Sequence, residues 1–230
     1  MAENKTTTGQ VEPQANQDLY QKVENTFLKY RNYIIGVLAL IILGIGGYFG
    51  YKELYLKPKA QQAGKKIPFA QSLFATDSFQ VALNGDGIND GFLQIADEYG
   101  MTKAGNLAKY YSGICYLKAK DFDNAIKYLE KFNPPTDELA GLTNLNLGHA
   151  YAEKEDYAKA IVFYKKAGEV SKSDYYSPLY YKIAGDLMVM QSDFKGAKEV
   201  FELIKREYPL SEQGANIDLD IAYTSAKLGE

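Results

Sequence analysis

The twenty residues from Asn32 to Tyr51 carry no charge between Arg31 and Lys52, and this stretch constrains the chain more than any other. Its core reads IIGVLALIILGIGGYFGY, Ile34 to Tyr51. At about 1.5 Å per residue, roughly 20 helical residues cross a hydrocarbon core of about 30 Å. Tyr30 and Tyr33 stand at one edge, with Tyr48, Tyr51 and Tyr55 at the other, where the two membrane interfaces would lie. A buried helix of a soluble domain rarely stays apolar on every face for so long. A cleavable signal peptide would need a short basic leader and a small-x-small cleavage site. Here a long mixed-charge segment comes first, and no such site precedes Lys52. The stretch therefore reads as an uncleaved signal-anchor in the lipid bilayer.

Lys22, Lys29 and Arg31 flank one side of this span, and Lys52, Lys57, Lys59, Lys65 and Lys66 the other. A simple count of positive charge favours keeping the C-terminal side in the cytoplasm, but long domains cross largely regardless of charge, so composition leaves topology open. Gly46 and Gly50 form a GxxxG pair that would let a second membrane helix approach, although glycine is common in such helices anyway. Upstream, Leu19, Val23, Phe27 and Leu28 share one helical face. The polar residues before them lack apolar periodicity.

Composition narrows the chemistry. A net charge of −3 argues against a nucleic-acid binder, which needs a basic face for phosphate. With one histidine, His149, and one cysteine, Cys115, any Cys/His metal site or nucleophile pair would need those two brought together. No residue set makes an enzyme, and none calls for a metal or cofactor. Cys115 lies on an apolar face and reads as a small buried hydrophobe. In ALNGDGINDGF, Ala82 to Phe92, the residues Asp86, Asp90 and Gly91, with Asp97 beyond, match calcium-loop positions one, five, six and twelve. Position three is Ile88, so a tight turn capping the next helix is the better reading.

Beyond the span, self-similarity dominates. LAKYYSGICYLKAKDFDNAIKYLEKF (Leu107 to Phe132), LTNLNLGHAYAEKEDYAKAIVFYKKA (Leu142 to Ala167) and LYYKIAGDLMVMQSDFKGAKEVFELI (Leu179 to Ile204) align. In each, a glycine (Gly113, Gly148, Gly185) precedes an acidic–aromatic pair (Asp121-Phe122, Asp156-Tyr157, Asp193-Phe194) by the same interval. An alanine follows the aromatic (Ala125, Ala160, Ala197), and a larger residue comes four later (Leu129, Tyr164, Phe201). Glycine and alanine let two antiparallel helices approach closely, while the Asp caps the second helix. This pattern resembles the tetratricopeptide repeat, a helix–turn–helix of about 34 residues. The second segment fits best; the first has Phe132 where a small residue is usual, and the third replaces a tyrosine with Met188 but keeps Tyr208-Pro209.

The expected fold is all-α: an N-terminal transmembrane helix, then a tetratricopeptide-like α-solenoid of about three to four helix pairs and a capping helix. The expected division is a disordered tail at 1–16, an amphipathic juxtamembrane helix at 17–31, the span at 32–52, a helical linker with a degenerate repeat at 53–105, repeats at 106–209 and the cap at 210–230. The cap should present Ile217, Ile221, Ala222, Ser225 and Leu228 on one face. By analogy with tetratricopeptide proteins, Tyr110, Ile114, Leu117, His149, Lys182 and Asp186 should look into a protein-binding groove.

A closer resemblance rests on the anchor, on ALNGDGINDGFLQIADEYGMTKAGNLAKYYSGICYL and on IKREYPLSEQGANIDLDIA. These look like the Bacteroidota members of a family of ancillary Sec-translocon subunits, single-span inner-membrane proteins with tetratricopeptide repeats. The resemblance implies a cytoplasmic N-terminus, a periplasmic repeat domain and association with Sec translocon subunits. It also implies partnership with a periplasmic chaperone or a membrane-anchored prolyl isomerase. The alternative is a structural subunit of another envelope assembly, such as a secretion or motility machine.

Overall fold

The computed structural model describes residues 14–230, all-helical and without a strand among the described residues. The larger part of the expected tail, residues 1–13, lies outside the described residues. The chain divides into two compact units between Tyr55 and Leu56.

In the first unit a single helix, α1 (Gln14–Gly50), runs unbroken past residue 31 into the apolar stretch. No proline or glycine interrupts it before Gly36, and Leu, Val, Phe and Ile all sustain the helix. From Leu19 onward none of its described side chains is buried: Leu40, Ile42 and Leu43 are each about 70% exposed. The N-terminal helical stretch is long and apolar enough to cross a membrane, its most apolar 18-residue window having a mean hydropathy of 2.1 with nothing buried. Such a surface is consistent with a single membrane-spanning helix, where hydrocarbon would replace water around it. After Gly50 the backbone widens into a π-helical segment, Tyr51–Leu56. Pro58 accounts for this locally: it has no N–H to donate to the Leu54 carbonyl, and its ring crowds that carbonyl.

The second unit opens with α2 (Lys57–Ala75), α3 (Phe79–Asn84) and α4 (Phe92–Tyr99). These pack on α5 (Lys103–Lys118) around Ile67, Leu83, Phe92, Ile95 and Cys115. An aromatic cluster closes this end, with the Phe92 and Tyr111 rings stacked 4.8 Å apart and Phe74 edge-on to both.

Three helix pairs follow. Helix α5 packs on α6 (Phe122–Lys131), α7 (Asp137–Glu153) on α8 (Tyr157–Ser171), and α9 (Tyr176–Met190) on α10 (Phe194–Glu207). The repeated residues form one repeated joint. Asp121, Asp156 and Asp193 each cap the second helix of a pair, accepting from the backbone N–H of Asn124, Lys159 and Gly196 at 3.0–3.2 Å. The residue before each Asp (Lys120, Glu155, Ser192) is left-handed, with φ of 58°, 60° and 61°. The Asp N–H then reaches back to the carbonyl of Tyr116, Tyr151 or Met188 at 2.9 Å, closing the first helix as a Schellman motif.

Each repeat glycine lies against the large residue four places after the alanine. A side chain at Gly113, Gly148 or Gly185 would run into Leu129, Tyr164 or Phe201. All three large residues are buried. The expected glycine–alanine contact is therefore chiefly a glycine–large contact, with the alanine holding the second helix close enough for it.

The chain closes with α11 (Glu212–Asn216) and α12 (Asp218–Leu228), the latter packed on α10. Ile217 and Thr224 are buried there, and the Thr224 hydroxyl donates to the Asp220 carbonyl at 2.9 Å. Ala222 and Leu228, expected on the packed face, are exposed, because the buried face runs through Ile217, Ile221 and Thr224 instead.

Candidate protein-binding groove

Helices α5 and α7, the first helices of neighbouring repeats, flank an open depression of about 360 Å³. Ile114, Leu117 and Lys118 come from α5; Asn146, His149 and Glu153 come from α7. The spacings of three, four and seven place each set on one helical face. Lys120, from the turn after α5, and Phe122, the first residue of α6, complete the lining.

His149 is held from below. Because Gly148 has no side chain, the Tyr164 ring passes under α7, and its hydroxyl lies 2.9 Å from His149 Nδ1. The two rings meet edge to face at 5.3 Å. Packing around the ring lowers the His149 pKa from its ordinary value by desolvation, partly offset by Glu153. The residue nonetheless keeps an open edge and is exposed overall, so the packing dries one side of the ring only. A neutral His149 accepts from the tyrosine at Nδ1, which leaves Nε2–H as a donor for a partner. Burial pushes the Tyr164 hydroxyl up to about 12, so it remains a phenol that can donate.

The predicted residues thus separate. Ile114, Leu117 and His149 share the depression. Tyr110 is linked to its wall, its hydroxyl accepting from Asn146 Nδ2 at 3.4 Å while its ring packs on Phe132 at 5.2 Å. Phe132, standing where a small residue is usual, is buried beneath it. Lys182 and Asp186 do not line this depression. They pair with each other at 2.5 Å on α9, and Lys182 also reaches Asp220 at 3.5 Å. Sequence reasoning missed Asn146 and Glu153, whose positions three before and four after His149 would have found them.

Two other candidates resolve into structure. Cys115 is 1% exposed, and burial pushes its thiol up to about 12, away from the thiolate a nucleophile requires. In the Asp86 loop, that carboxylate accepts from the backbone N–H of Asn89 at 2.6 Å, from its side-chain amide at 3.0 Å and from the backbone N–H of Ile88 at 2.9 Å, which together hold its pKa below the ordinary value. Asp90 pairs with Lys66 at 2.5 Å. The Gln94 side chain accepts from Gly91 N–H and donates to the Asn84 carbonyl, tying the loop to the start of α4. These carboxylates serve a turn. In α1, among the described residues, nothing lies within 4 Å of where a Cβ would stand at Gly46 or Gly50, apart from the adjacent residues and the helix's own local backbone.

The family model of the tetratricopeptide repeat-like domain matches residues 26–215, and the chain belongs to that family. The matched stretch begins within α1, so it takes in the apolar segment as well as the repeats. Domains of this kind are protein-interaction scaffolds. Among curated proteins, no match to the sequence is found.

Proposed function

We propose that this member of the tetratricopeptide repeat-like domain family is a membrane-anchored accessory of the Sec translocon. In this reading the groove between α5 and α7 receives segments of envelope proteins leaving the channel. It passes them to a periplasmic chaperone or a membrane-anchored prolyl isomerase. The observation that carries the reading is the joining of Ile114, Leu117 and a neutral, tyrosine-held His149 in one open depression, on a chain whose N-terminal helix has the length and apolarity of a span. Ile114, Leu117 and Phe122, with Lys118, Lys120, Asn146, His149 and Glu153 around them, give an open depression both apolar contact and several hydrogen-bonding groups, which suits a peptide segment.

The anchor makes weak contacts sufficient. Tethering gives effective concentrations of order 1 mM, at which a Kd of about 100 μM still yields roughly 90% occupancy. The site is taken to be the bacterial inner membrane, with the N-terminus cytoplasmic and the repeat domain periplasmic. The lysine-rich flank weighs less against this topology than its count suggests. Lys66 is engaged by Asp90, and Lys59 donates to the Glu98 carbonyl at 3.2 Å, so both belong to a folded unit.

Purification from native membranes in mild detergent, followed by mass spectrometry, tests the assignment. Translocon subunits or periplasmic chaperones are expected among the co-purifying proteins. Recovery of a different secretion or motility assembly without them would refute it.

A further inference from the structure

A second cleft lies away from the groove and shares no residue with it. It occupies about 430 Å³ between the α8–α9 and α10–α11 connections, lined among others by Asp174, Tyr175, Tyr208, Pro209, Leu210 and Glu212. Leu210 is 99% exposed and Tyr175 68%, although both stand on braced turns. Ser211 Oγ donates to the Tyr208 carbonyl at 2.7 Å and accepts from Gly214 N–H at 2.9 Å, which fixes the turn that holds Leu210 out. Across the cleft, Ser173 Oγ accepts from the N–H groups of Tyr175 and Tyr176 at 3.3 and 3.1 Å. Ser173 N–H in turn donates to Ser177 Oγ at 3.2 Å. Two apolar side chains are therefore presented to solvent with little backbone freedom left to lose on binding.

The charge around them is one-sided. Asp174, Glu207 and Glu212 all line the cleft, and among the described residues no lysine or arginine does. Arg206 engages Glu207 at 2.8 Å, while the cation closest to Asp174 in sequence, Lys172, is drawn to Asp137 at 3.1 Å. Asp174 and Glu212 thus set a negative rim beside an exposed tyrosine face, an arrangement that favours a cation with an apolar neighbour.

We propose that this cleft is a second docking site, which takes an extended partner segment carrying an arginine or lysine beside an apolar side chain. The partner's apolar group packs on Leu210 and Pro209, and its cation lies between Tyr175 and the Asp174 and Glu212 carboxylates.

Fluorescence anisotropy on the full chain in phosphatidylcholine nanodiscs tests this, using a labelled short peptide that alternates arginine and leucine. Saturable binding is expected, weakened about tenfold by Leu210→Ser and again by Asp174→Lys with Glu212→Lys, a loss of about 1.4 kcal/mol each. The exposed Val162→Asp should change nothing, and a glutamate–leucine peptide should not bind. Unchanged melting temperatures in Leu210→Ser would show that the fold survives. Equal affinity in the wild-type chain and both cleft variants would overturn the proposal, as would loss of binding in Ile114→Asp alone, which would place the peptide in the groove. Self-association abolished by Leu210→Ser would make the occupant a second copy and overturn it equally.

Discussion

The Tyr164 hydroxyl lies 2.9 Å from His149 Nδ1 across the two helices of one repeat, and it does so because the residue beside His149 is glycine. One close helix contact thereby positions the only histidine of the chain in the lining of the depression between α5 and α7.

The contact can be tested by filling it. Gly148→Ala places a methyl group against the buried Tyr164 ring, and overpacking of this kind costs about 1–3 kcal/mol. Gly185→Ala should do the same against Phe201. Urea unfolding of the full chain in detergent should show lower midpoints for both, while Gly87→Ala, limited to an open loop, serves as the comparison for backbone strain alone.

The histidine itself gives a pH signature. Its folded pKa is lowered, so the unfolded chain binds the proton first as pH falls. Stability should be full above about 6.5 and decline as pH falls from there through the lowered value. His149→Gln should flatten that part of the profile. Because the chain has a single histidine, one imidazole resonance reports the titration, and its midpoint should lie below that of a free histidine.

The left-handed residues that end α5, α7 and α9 predict gains rather than losses. A non-glycine residue there costs about 1 kcal/mol, partly balanced by the greater chain entropy of glycine. Lys120→Gly, Glu155→Gly and Ser192→Gly should therefore each raise stability by about 0.5 kcal/mol, read as a higher unfolding midpoint. A β-branched residue at the same positions should lower it.

The anchor is tested by charge. Leu40→Arg with Leu43→Arg, both within the apolar stretch, adds about 2.5–3.5 kcal/mol of insertion cost per arginine. The wild-type chain should remain in the membrane pellet after alkaline carbonate washing, and the double variant should be released.

The helix pairs could be read from Gly148, Asp156 and Ala160 and their counterparts, because steric closeness and helix capping each demand particular residue types. The turns between them could not, since Lys120, Glu155 and Ser192 carry no mark of the left-handed backbone they adopt. Of the six residues that analogy with other repeats points to, Ile114, Leu117 and His149 line one depression, whereas Lys182 and Asp186 pair with each other at i, i+4, which that analogy does not anticipate. Asn146 and Glu153 enter only through their distance from His149. The π-helical segment at Tyr51–Leu56 had a single sign in the sequence, Pro58.

Photo-crosslinking in native membranes distinguishes a partner-binding groove from an inert surface, with a benzophenone amino acid placed at Leu117 in the candidate groove or at Val162, which is 61% exposed outside it. Position 117 is expected to capture translocon subunits, periplasmic chaperones or emerging envelope proteins, and position 162 is not. Capture of no partner at 117, or the same partners with equal yield from both positions, would contradict that expectation.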